Sequence, residues 1–292
     1  MKQPIELRKF RDFGQIINDS FTFLKENIKG LLVAILVICG FFMVLGTISS
    51  VFTIMNKSYA GDFSSDDYQL HSRAVTYLVS LMIYLFVLML SHLCIFLVTY
   101  CYISVYIQKN NTPPVLAEVW GYFRYYFWRV LGGGILIFIL SCIGYLLCFI
   151  PGIYLMPIFS LIIPIIVIEN ASVRYSFNKS FRIIKNNWWT VFGVLFIMWI
   201  VVVVASLFVN IAIRFIETGS RIFTLKSFTL PVIIIFSALK HLLMVIYVLP
   251  AIAVSLCYFS LSEEKDGTGL LERIQKLGTT PNDDLILPTE EY

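Results

Sequence analysis

The chain has 292 residues, 59% of them hydrophobic and 14% charged, with a formal net charge of +4. Water-soluble domains run nearer about 45–50% apolar and about 25% charged, so a soluble globular core is excluded. The basic residues are scattered over loops without a dense run, which argues against nucleic acid as a partner.

The first predicted element is amphipathic. Phe13, Ile16, Ile17, Phe21 and Leu24 recur on one helical face, and Gln15, Asn18, Asp19 and Thr22 fall elsewhere. Such a helix lies in the headgroup plane or packs on a bundle. Six apolar stretches follow it: Ile28–Ile54, Ala74–Ile107, Val130–Ile150, Ile153–Ile168, Trp188–Ile213 and Thr229–Leu261. A bilayer core takes about 20 apolar residues per helical crossing. Inside lipid the backbone must satisfy its own hydrogen bonds, so the stretches predict helices. The fold class is therefore all-α: a polytopic transmembrane bundle of about six spans. Residues 1–262 form the membrane domain and 263–292 a polar tail, expected to be largely disordered and cytoplasmic.

Individual stretches carry further information. Ala74–Ile107 would be about 50 Å long as one helix, against a hydrocarbon core of about 30 Å, so it must tilt, protrude or break. Gly132-Gly133-Gly134 opens the third span and reads as close helix packing rather than a phosphate loop. Pro157 and Pro164 interrupt the fourth span and predict kinks. A second amphipathic segment, Val173–Ile184, sets Val173, Phe177, Phe181 and Ile184 apart from Arg174, Lys179, Arg182 and Lys185. Those four cations are the candidate contacts for anionic lipid headgroups. Glu169, at the end of the fourth span, is the candidate partner of Arg174 in a structural ion pair. In the last stretch, His241–Leu261 alone is long enough to cross. Leu230–Leu239, opened by Pro231, is then re-entrant or lies on the outer surface, with Lys240 near the outer boundary.

Three units repeat, each an amphipathic segment followed by a helical hairpin. Ser20–Asn27 reads SFTFLKEN and Ser180–Asn187 reads SFRIIKNN, with a looser version at Gly121–Arg129. Duplication or convergence would each produce the match. Lys and Arg are concentrated before the first span and between spans two and three and spans four and five. That distribution puts both termini in the cytoplasm. The six cysteines all lie in apolar spans, as buried small hydrophobes do.

No zinc signature, nucleophile elbow, P-loop or dinucleotide fingerprint occurs, so neither enzymatic activity nor a cofactor is expected. Ionisable residues within spans are functional suspects because they are costly there, and His92, Lys240 and His241 form the candidate intramembrane polar site. They read either as a transport path or as a snorkelling lysine with two interhelical histidines.

Leu161–Phe192 reads LIIPIIVIENASVRYSFNKSFRIIKNNWWTVF, and Arg11–Leu32 reads RDFGQIINDSFTFLKENIKGLL. With Gly267–Ile274 (GTGLLERI), these stretches resemble the membrane domain of bacterial glycerophosphoryl diester phosphodiesterases. Related free-standing multipass proteins of Bacteroidetes-type bacteria share the pattern. The resemblance implies a membrane module. No phosphodiesterase domain follows Leu261, so the activity is not expected to be inherited. Two functions compete: a non-enzymatic module that interacts with membrane lipids or organises protein partners in a membrane complex, and a small transporter or channel subunit. A membrane-embedded enzyme is the third reading. A polar-lined cavity at mid-membrane favours transport; a closed apolar bundle with a basic rim favours the module.

Overall fold

The computed structural model describes residues 5–60, 67–147, 149–222 and 226–267. The described chain is helical throughout, without strands, and six of its helical segments are long and apolar enough to cross a membrane. The helices are α1 (Phe13–Ala60), α2 (Asp67–Gln108), α3 (Leu116–Leu147), α4 (Phe149–Ser160), α5 (Ile162–Ile168), α6 (Val173–Ile184), α7 (Trp188–Ile222), α8 (Lys226–Leu242) and α9 (Val248–Asp266). A 3-10 turn, Leu243–Tyr247, joins the last two.

The first hairpin is made of two unbroken helices. α1 has 48 residues and α2 has 42, so they are roughly 72 and 63 Å long. Residue Ala60 ends one and Asp67 starts the other, which shortens the expected outer loop from both sides. They pair along their length. Phe23 meets Tyr106 edge-on at 5.2 Å, Asn27 accepts from the Tyr102 hydroxyl at 3.2 Å, and Thr53 donates to Ser80 O at 3.1 Å. The amphipathic opening is the start of α1 itself, because no proline or capping turn separates it from the span. Ile16, Ser20, Phe23 and Asn27 form its inward stripe, continued by Leu31, Ala34, Ile35 and Ile38. That stripe packs on the bundle, so the alternative of a helix in the headgroup plane does not describe it. The looser repeat at Gly121–Arg129 likewise lies in the first part of α3, and of the three repeated segments only the second amphipathic one, α6, is a separate helix.

Prolines shape the return spans. The fourth breaks at Leu161, between α4 and α5, where Pro164 has no N–H to offer Ser160 O. In the sixth, Pro250 similarly has no N–H to offer Ile246 O, which accepts from Val248 N–H instead, and the preceding residues tighten into the 3-10 turn. Within α3, Gly134 lets Leu93 of α2 approach. A Cβ there would lie 2.5 Å from Leu93 Cδ1.

The hydrophobic core fills one half of the bundle. Among the described side chains, buried apolar residues stop at Met43 in α1, begin at Leu93 in α2, stop at Val202 in α7 and begin at Met244 in the sixth span. We call this the terminal half, since it holds Phe13, Gln108, Leu116, Ile168 and Asp266. The distal half carries exposed apolar side chains such as Ile48, Met82, Phe208 and Phe215. The polar tail is described only to Gly267, so its expected disorder lies outside the described residues.

Candidate functional site

Two polar assemblies stand out, one at each end of the core. The first is a charged cluster in the terminal half. Glu169 closes α5, Asn170 follows with a left-handed φ of 52°, and Ser172 caps α6 by accepting from Tyr175 N at 3.3 Å. This tight reversal turns Ser176, Lys179, Ser180 and Ile183 inward against the core. The Lys179 ammonium donates to Glu169 Oε1 at 2.6 Å and lies 3.4 Å from Asp266. The Tyr258 hydroxyl donates to the same Glu169 oxygen. Burial works against the Lys179 charge, but the hydrogen bond and charge of Glu169, helped by Asp266, outweigh it and raise its pKa above the ordinary lysine value.

The expected pairing of Glu169 with Arg174 is thus corrected: the partner is Lys179. Arg174 lies on the exposed side of α6. Lys179 also leaves the set of headgroup contacts, since its side chain is 8% exposed and held between carboxylates. Arg174, Arg182 and Lys185 remain at the surface, Arg182 reaching Asp266 at 3.8 Å. A hydrophobicity pattern scores any lysine as outward; the carboxylates that draw this one in come from the preceding turn and from the far end of α9.

The second assembly is a cavity of about 280 Å³ among α2, α7, α8 and the 3-10 turn. It begins where the core ends. α2 contributes Tyr84, Leu88 and His92 at four-residue spacing. α7 contributes Trp199, Val203, Ser206 and Asn210, also one helical face. Lys240 and Tyr247 close it from the sixth span. All of these residues lie within the segments long and apolar enough to cross a membrane, Asn210 close to the end of its own.

The polar atoms are partly committed. Lys240 Nζ donates to the Tyr84 hydroxyl at 3.2 Å, and its ammonium also sits 5.7 Å from that ring's centre. His92 Nδ1 is 2.8 Å from Leu88 O, and its ring meets Tyr247 edge-on at 4.3 Å. The carbonyl makes Nδ1 the protonated nitrogen, so neutral His92 keeps Nε2 as an acceptor. Ser206 donates to Val202 O and Asn210 to Ser206 O, each satisfying a carbonyl of its own helix. His241 is 1% exposed and does not line the cavity. It packs against Gly46 of α1, where a Cβ would stand 2.5 Å from its ring, while Nδ1 engages Ser237 O.

Of the three suspected intramembrane residues, the fold brings His92 and Lys240 together and sets His241 behind them. Leu230–Leu239, expected to be re-entrant or to lie on the outer surface, belongs to α8, which runs on through the 3-10 turn into α9 within one long apolar segment, Leu230–Asp266, so Lys240 lies inside that segment rather than at its end. Tyr84, Trp199, Ser206, Asn210 and Tyr247 were missed by the sequence reading. Their signal was a shared helical face within apolar runs, together with Pro250 just beyond the turn.

No family model matches the chain, and neither does any curated protein or solved structure.

Proposed function

We propose that this integral membrane protein is a small transporter or channel subunit whose working part is the mid-span cavity. One observation carries the reading: the sixth span loses its α-helical winding beside Lys240, His92, Ser206 and Asn210. Interrupted helices bordering polar groups at mid-membrane are how many secondary transporters build their sites. Ionisable residues kept at that depth normally serve function. The scaffold reading would have favoured a closed apolar bundle, and the cavity weighs against it.

The proposed setting is a bacterial inner membrane with the terminal half toward the cytoplasm, following the lysine and arginine distribution. Arg174, Arg182 and Lys185, beside exposed Trp128 and Trp189, then contact lipid headgroups at that face. The resemblance to phosphodiesterase membrane domains fits a membrane module of this kind.

Water access tests the reading. In a background with all six cysteines replaced by alanine, Ser206→Cys should react with a charged, membrane-impermeant methanethiosulfonate reagent. Phe208→Cys, two residues along α7 at a position 77% exposed to lipid, should not. If Ser206→Cys stays unreactive, or both react alike, the cavity is not a hydrated path and the scaffold reading replaces this one.

A further inference from the structure

We infer that the cavity takes a small organic monoanion, a compact anionic head on a short apolar body. The inference rests on the cavity being a ligand site, as proposed above, and adds what the ligand must be.

Charge comes first. Lys240 is the one ionic side chain lining the described cavity, and no carboxylate lines it. Its described polar companion is the Tyr84 hydroxyl, a neutral group. An ammonium has three N–H donors; the phenol takes one and neutralises nothing. A charge held in a narrow, largely apolar cavity without a counter-charge is unfavourable, and an entering anion supplies the missing partner. A cation entering the same space would add to it.

The surrounding donors agree. Asn210 spends one amide hydrogen on Ser206 O and keeps the other. The Tyr84 hydroxyl, having accepted from Lys240, still has its own proton to give. These donors suit an oxyanion, and charge-assisted hydrogen bonds are the stronger kind.

Size and wall chemistry set the remainder. Ligand pockets for drug-sized molecules hold about 300–1,000 Å³, and this one sits at the lower edge with about 280 Å³. A diacyl lipid does not fit. Leu88, Val202, Leu243 and Met244 supply an apolar wall for the body of the ligand.

Three probes with one ring and different heads test this: benzoate, benzyl alcohol and benzylammonium, titrated calorimetrically into the full-length protein in lipid nanodiscs. Benzoate should bind at least about ten-fold more tightly than benzyl alcohol, and benzylammonium least. Lys240→Met should bring benzoate down to the level of the alcohol without changing the alcohol, and Lys240→Arg should keep the preference. Equal binding of benzoate and the alcohol, preference for benzylammonium, or full benzoate affinity in Lys240→Met overturns the anion assignment. If none of the probes binds although Ser206→Cys is water-accessible, the anion assignment fails and the transport reading stands. If Ser206→Cys is also inaccessible, both fall.

Discussion

In the terminal half, α9 buries every residue from Ala251 to Ser262, whereas in the distal half α2 leaves Val75, Leu78, Met82 and Phe86 more than half exposed. The same kinds of apolar side chain do different work in the two places. Where helices surround a helix, side chains interlock as in a soluble core. Where acyl chains are the neighbours, leaving lipid for protein brings no hydrophobic gain, and association falls to close packing and hydrogen bonds. The distal contacts are of that type: Thr53 to Ser80 O, Lys240 to Tyr84, and His241 set against Gly46. The difference teaches where movement is cheap. The cavity lies at the seam, with one wall on the packed half and the rest on α7 and α8 of the distal half.

Substitutions on either side of the seam should separate in size. Lys179→Met leaves the half-buried Glu169 without its cation, and should lower unfolding free energy by about 3–4 kcal/mol, read from thermal or denaturant unfolding in detergent. The pH dependence of that difference has a definite sign. A raised lysine pKa contributes fully below the ordinary lysine value and is lost as pH climbs through the raised one. On this lysine's account, the gap between parent and variant should stay flat from neutral to mildly alkaline pH and close only in strong alkali. Next in size, Ile252→Ala empties a fully buried position of α9 and should cost about 3 kcal/mol by the same measurement. Gly46→Ala pushes on an imidazole that has nowhere to go, and about 2 kcal/mol is expected. Its benzoate titration should also weaken, because Lys240 adjoins the displaced ring. Smallest of all, Ile83→Ala faces lipid and should change stability by less than about 0.5 kcal/mol. A loss at Ile83 as large as that at Ile252 would erase the distinction between the halves and point to a protein neighbour on the α2 face.

How much of this was legible beforehand follows the same seam. Length and hydropathy locate the six crossings, and Pro157 and Pro164 locate the broken fourth, because both depend on local chain properties. The inward turn of Lys179 was not legible. It depends on Asp266 and Tyr258, which are far away in sequence and come beside it only once α9 has docked. The neighbours of Lys240 were hidden for a related reason. Dividing Leu230–Leu261 at a charged residue treats the charge as a boundary, whereas α8 runs past it and the Tyr84 hydroxyl of α2 accompanies it. The inward stripe of α1 through Phe23 and Asn27 was hidden in a segment judged by its outer aromatics.

The five residues Leu243–Tyr247 carry one more geometric consequence. A 3-10 winding advances about 120° and 2.0 Å per residue, against about 100° and 1.5 Å for an α-helix. Rewinding the five as α-helix would therefore unscrew α8 relative to α9 by about 100° and draw the two about 2.5 Å closer. With α9 clamped in the packed half, the motion falls on α8. Lys240 would swing by rather more than a quarter-turn around the axis of α8 and ride about 2.5 Å along it. A single switch in winding thus behaves as a screw thread, converting a change of pitch into a change of which direction the ammonium faces.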